Sequence, residues 1–392
     1  MGHGVPEDLK LLLPSCKDIE GFDMERHNGR TENALFVALK YSIETLQFIL
    51  DHADWLGINV NGLKMVPEDF VDDEYFYMKA MSILMKACWE PNPEAVEFML
   101  QNALQYRLDF TTSDEYCKIS PFAIACYKGS MEIVNILLNH SDKVNLNSVD
   151  GERESGFFYA CREGHYKIVK RIIEVSDIKS INLNARDYRL ENGFFAASVF
   201  GQMEVLDLLI QHSDKIDINC KNAYGDTALI EVCRERQFDA AKKIIDISEE
   251  LKIDLNFQDN TSGGETAFLA ACSGNHEKIV EYMIQQSEIK NIDLNRRDKR
   301  GSHAIHLAIN GFGSYLRLVP DVPDTAKLLI KNARKKNIDI FSVDDKGQNV
   351  YDFFIKNLNH RTKYYPESIE NASTINGVKL WLKCLVENGY DF

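Results

Sequence analysis

The chain lacks any apolar run near the roughly 18 residues that a membrane span requires, so a soluble protein with no membrane partner is expected. It is also short of positive charge, with 45 Lys and Arg against 60 Asp and Glu and a formal net charge of −15. Nucleic-acid binding needs clustered cations that release counterions from phosphate, and this balance argues against it. The basic run Lys331 to Lys336 falls at the end of a predicted helix, where cations favour the helix dipole. None of the nine cysteines forms a Cys-x-x-Cys pair, which removes the local scaffold for zinc. Phosphate-loop, Gly-x-Ser-x-Gly and His-Glu-x-x-His motifs are all missing. A non-catalytic protein without metal or cofactor is therefore expected. Met1 to Pro6 is polar and Leu9 to Leu13 is too brief an apolar region for a secretory signal, so the expected compartment is the cytoplasm, with the nucleus as alternative.

What is present is a recurring phrase, apolar-(Asp/Asn)-apolar-Asn, at 144–147, 181–184, 216–219, 253–256 and 292–295. Its closing residues Asn147, Asn184, Asn219, Asn256 and Asn295 are 37, 35, 37 and 39 residues apart. A period of that size signals stacked units rather than one globular core. Within each period a turn precedes a short apolar helix such as Thr227 to Cys233. A break with Gly or His follows, and then a second helix with apolar residues at i, i+1, i+4 and i+5, as in Ile168, Val169, Ile172 and Ile173. That spacing places one apolar stripe on one helical face, which only neighbouring pairs can cover.

These residues resemble the ankyrin repeat, with its Thr-Pro-Leu-His-x-Ala-Ala phrase followed by Gly-His. Ser120 to Cys126, Thr266 to Cys272 and His303 to Ile309 occupy the phrase. The resemblance covers roughly 28–392 and implies an all-α fold, an α-solenoid of helix pairs joined by β-turn loops. About eight or nine repeats with degenerate ends are expected as one domain, after an N-terminal extension or cap at 1–27. Insertions are expected at about 63–77, 313–322 and 357–376. In the last repeat Trp381, Leu382, Leu385 and Val386 are expected to seal the stack. Cys88, Cys126, Cys161, Cys233 and Cys272 share one helix position where the family has a buried Ala, and are read as reduced structural thiols. His165, His276 and His306 are read as bonding turn backbone between repeats.

The resemblance implies protein binding on the concave face formed by turn tips and first helices. Non-consensus positions there are the candidates: Trp89, Glu90, Tyr127, Lys128, Arg162, Glu163, Tyr188, Arg189, Tyr224, Asp226, Arg234 and Glu235, since aromatic and Arg side chains anchor many interfaces. A second candidate surface is the acidic, aromatic insertion with Phe70, Asp72, Asp73 and Tyr75, whose simpler reading is a loop folded over the second repeat. The expected partner is a protein, suited by the net acidity to a basic surface, and the expected state is a monomer. A scaffold or adaptor is the first reading. An inhibitor masking a basic partner such as a transcription factor is the alternative, and an enzyme with a site between repeats a distant third. Asn219, Asn256 and Asn295 fit the local part of the family's asparaginyl-hydroxylation pattern, but Gln211, Ser248 and Ser287 stand where it has Leu, which favours a structural role.

Overall fold

The computed structural model describes residues 34–56, 58–62, 64–65, 80–110, 118–258, 263–310, 322–349, 352, 379 and 382–390. Contacts divide the chain into two compact units, one ending at Tyr188 and the other beginning at Arg189. The N-terminal unit contains α1 (Ala34–Ala38), α2 (Ile43–Asp51), α3 (Ala53–Leu56), α4 (Ile83–Trp89), α5 (Pro93–Gln101), α6 (Pro121–Tyr127), α7 (Met131–Asn139), α8 (Gly156–Arg162) and α9 (Tyr166–Lys179). A two-residue antiparallel pair, β1 (Lys64–Met65) and β2 (Ala80–Met81), interrupts the helical pattern, with Lys64 opposite Met81. The C-terminal unit contains α10 (Gly193–Val199), α11 (Met203–Gln211), α12 (Ala228–Arg234), α13 (Phe238–Asp246), α14 (Ala267–Ser273), α15 (Glu277–Gln286), α16 (Ala304–Asn310) and α17 (Asp324–Lys336). Of the predicted insertions, 66–77, 313–321 and 357–376 lie outside the described residues, as do the 1–27 extension and Trp381.

Two kinds of helix alternate. The first helices begin on a side-chain cap: Ser82, Ser120, Ser155, Asn192, Thr227 and Thr266 each accept the N–H three residues on, which satisfies one of the helix's orphan donors. They are only seven residues long and almost wholly buried; in α8 every residue from Gly156 to Arg162 is inside. The second helices are amphipathic, and bury Ile133, Val134, Leu137 and Leu138 in α7 and Ile279, Val280, Met283 and Ile284 in α15. Within the N-terminal unit α4 packs on α6 and α6 on α8, while α5 packs on α7 and α7 on α9. Within the C-terminal unit α10, α12, α14 and α16 form one row and α11, α13, α15 and α17 the other. The break between paired helices needs a left-handed residue: Gly129 has φ +72, and a Cβ there would lie 2.5 Å from the His165 ring. That ring is held by its own bond, Nε2–H donating to the Tyr127 carbonyl at 2.9 Å. His276 repeats the arrangement, donating to the Arg234 carbonyl at 2.8 Å.

The recurring phrase has two separable roles. Its second residue accepts the backbone N–H two positions on, an Asx turn, at 2.9 Å for Asn145, 2.9 Å for Asp254 and 3.0 Å for Asp293. Its closing Asn reaches forward to the next repeat. Asn147 donates from Nδ2 to the Ser180 carbonyl and accepts from the Asn182 N–H, both at 2.8 Å. Asn256 does the same to Asn291 and Asp293, both at 2.7 Å, and Asn295 to Asn337 at 2.7 Å and Asp339 at 2.8 Å. Each accepting carbonyl belongs to a left-handed residue: Ser180, Asn291 and Asn337 have φ between 51 and 52°. The structure adds a copy that the sequence reading did not find, Ile58-Asn59-Val60-Asn61, whose Asn61 clips Arg107 and Asp109 at 2.8 and 2.7 Å.

The lengthened periods are absorbed in two ways. In α9 the extra residues continue the helix to Lys179, whereas after α11 and α15 they form turns. At the C-terminal end Leu385 is buried, but Val386 is 58% exposed. The expectation that Val386 seals the stack is thus corrected; it lies on the outer side of the helical stretch at 382–387. Tyr390 takes part instead, its ring 5.3 Å from that of Phe341 and 4.6 Å from the Arg334 guanidinium. Arg334, Lys335 and Lys336 do lie in the last turn of α17, and Lys336 pairs with Glu288 at 2.9 Å.

Candidate protein-binding face

In the N-terminal unit the ends of successive first helices carry rings and cations. Trp89 closes α4 and Tyr127 closes α6, with ring centroids 6.1 Å apart and nearly parallel. Tyr159 on α8 meets Tyr127 edge-on at 5.8 Å. The Lys128 ammonium sits 3.8 Å over Trp89, and the Arg162 guanidinium 4.8 Å over Tyr159. Such contacts contribute about 0.5–1 kcal/mol each when exposed and more when desolvated. Arg162 also pairs with Glu154 at 2.8 Å and Glu163 at 2.9 Å. Glu90 pairs with Lys86 at 2.8 Å. The Tyr159 hydroxyl donates to Asp150, which also accepts the N–H groups of Glu152 and Glu154 to shape the turn. Burial raises the carboxyls of Asp150 and Glu154, opposed by Tyr159 and Arg162 respectively.

The C-terminal unit places a different chemistry at the same step. Arg234, the last residue of α12, pairs with Asp226 at 3.0 Å, with Glu231 one turn back, and with Glu265 of the next repeat at 3.4 Å. One guanidinium thus answers three carboxylates. Burial raises Glu231, opposed by Arg234. Asn222 accepts the N–H groups of Tyr224 and Asp226, and leaves Tyr224 60% exposed at the turn tip. The Ala223 N–H donates to the Arg189 carbonyl of the preceding turn.

Trp89, Arg162 and Asp226, expected to present side chains outward, are buried at 7, 4 and 2% exposure. Lys128 covers Trp89, Glu154 and Glu163 engage Arg162, and Arg234 draws Asp226 inward. Tyr127, Lys128, Glu90, Glu163 and Arg234 are half-buried, and Tyr188, Arg189, Tyr224 and Glu235 are exposed. The sequence reading missed Glu154, Tyr159, Glu231 and Glu265. A usable signal existed, because Glu154, Asp226 and Glu265 each immediately precede a Ser or Thr helix cap. Phe70, Asp72, Asp73 and Tyr75 lie outside the described residues.

Among the described residues, no His, Cys, Asp and Glu group could hold a metal ion. The described cysteines are free; Cys88, Cys126, Cys161, Cys233 and Cys272 are fully buried. Burial pushes the Cys233 thiol up to about 12 and the other four likewise upward, so none is a poised nucleophile. No described helix is long and apolar enough to cross a membrane.

Capped first helices, amphipathic second helices and a phrase that links each repeat to the next define a helical repeat protein. Comparison with family models makes this specific. A model described as ankyrin repeats (3 copies) matches residues 84–187 and 245–344, and one described as ankyrin repeats (many copies) matches 194–245. The chain belongs to the ankyrin-repeat family. No curated protein matches it. Ankyrin repeats generally mediate protein–protein interaction and are typically non-catalytic.

Proposed function

We propose that this protein is a non-catalytic, monomeric scaffold or adaptor that binds a partner protein along the turn tips and first-helix ends. The observation that carries the reading is the repeated use of the last position of the first helix for interacting side chains: Trp89, Tyr127 and Arg162 in the N-terminal unit, and Arg234 with its carboxylates in the C-terminal unit. The buried members fix the geometry, and Tyr188, Arg189, Tyr224 and Glu235 are the contact residues. A surface preorganised in this way loses little entropy on binding.

A photo-crosslinking amino acid placed at Arg189 or Tyr224 of the intact chain tests this, with Lys278 on the exposed side of α15 as control. The expected outcome is one partner captured from the native host lysate at both turn-tip positions and absent at Lys278. Capture at Lys278 alone, or equally at all three, overturns it.

The formal net charge of −15 favours a second reading, in which the protein masks a basic partner. Binding would then weaken steeply as salt rises, because charge attraction between exposed groups is screened.

A further inference from the structure

The forward clip made by Asn61, Asn147, Asn256 and Asn295 has an exception within the C-terminal unit. Asn219 completes its own Asx turn, its N–H donating to Asp217 at 3.2 Å. Among the described residues, however, its exposed carboxamide makes no bond to the next repeat. The groups it would meet are in place. Lys252 is left-handed with φ 53°, like Ser180, Asn291 and Asn337, so its carbonyl is presented as theirs are. Neither that carbonyl nor the Asp254 N–H has a partner among the described residues.

Two further observations fall on this seam. Gln237 stands where the following repeat has His276, whose ring bonds the preceding helix end. An open groove of about 410 Å³ runs here, lined by residues including Ile216, Asp217, Asn219, Glu250, Leu251 and Lys252.

We infer that the seam between Asn219 and Lys252–Asp254 is a binding site for an Asn or Gln carboxamide carried on an extended segment of a partner protein. The chain itself supplies the recognition chemistry, since the same carbonyl and N–H pair is filled by a carboxamide at the four clipped seams. A carboxamide offers a donor to Lys252 and an acceptor to Asp254 in one planar group. A carboxylate has no proton for the carbonyl, and an ammonium has no lone pair for the N–H. Ile216 and Leu251 receive an apolar neighbour of the entering residue, while Asp217 and Glu250 disfavour acidic flanks. The site lies beyond the second helices and is independent of the first-helix face proposed above.

The test is amide NMR on the isotopically labelled full chain, with acetyl-Ile-Asp-Leu-Asn N-methylamide as probe and the same peptide ending in Ala as control. The Asp254 N–H is expected to shift with millimolar affinity, at least tenfold more weakly for the Ala peptide, while the Asp293 N–H, already clipped by Asn256, stays still. Equal shifts from both peptides, or none, overturn the site. So does an Asp254 N–H that is protected from exchange in the free chain and exposed by Asn219→Ala, since Asn219 would then close its own clip.

Discussion

Asn147 uses one carboxamide as donor and acceptor, and both bonds cross to the following repeat. A typical intramolecular hydrogen bond contributes about 0.5–1.5 kcal/mol net, so Asn147→Ala or Asn256→Ala is expected to cost about 1–2 kcal/mol, read as a lower urea midpoint. Asn219→Ala, with no such bond to lose, is expected to stay within about 0.5 kcal/mol of the parent. His306 is a second residue whose hydrogen bonds predict a phenotype. Its Nδ1 accepts the His303 N–H at 3.3 Å and its Nε2–H donates to the Gln348 carbonyl at 3.2 Å, which fixes a neutral tautomer. Burial lowers its pKa from 6.5, opposed by the Gln348 carbonyl, Asp344 and Asp298 and assisted by Arg297; burial and Arg297 also lower His303. The unfolded chain therefore binds more protons as pH falls through 6.5, and stability present above that value is lost below it. Unfolding midpoints measured from about pH 8 to pH 5 should fall on the acid side, with a shallower slope in His306→Gln.

At the scale of the element, the caps make a paired comparison. Thr266 accepts the Leu269 N–H at 3.3 Å, so Thr266→Ala is expected to cost about 1 kcal/mol. Ser130 precedes α7 without a side-chain cap bond, and Ser130→Ala should leave the thermal midpoint nearly unchanged. Gly156 begins α8 where a Cβ would lie 2.7 Å from the Phe122 ring and 3.3 Å from Cys126 Sγ. Overpacking of this kind costs about 1–3 kcal/mol, which equilibrium unfolding of Gly156→Ala would register. The helices were legible in the sequence because their cause is local: a Ser, Thr or Asn before α4, α6, α8, α10, α12 and α14, and apolar residues four apart in the second helices. The candidate face was legible in position but not in exposure. Whether Trp89 or Arg162 meets solvent depends on Lys128 and Glu154, which reach them only after the chain has folded. The copy at Ile58 to Asn61 was hidden because the next phrase position, Leu108 to Thr111, has Thr where the closing Asn would mark a period.

For the whole molecule, the formal charge of −15 bears on association more than on fold. If the partner surface is basic, its association rate should drop with added salt while the dissociation rate changes little, as stopped-flow measurement at two ionic strengths would resolve. The forward clip has a separate consequence for the history of such a chain. Since both sides of a clipped seam are cut from the same phrase, a repeat can be duplicated or excised by recombination and the new neighbours still meet with matching edges.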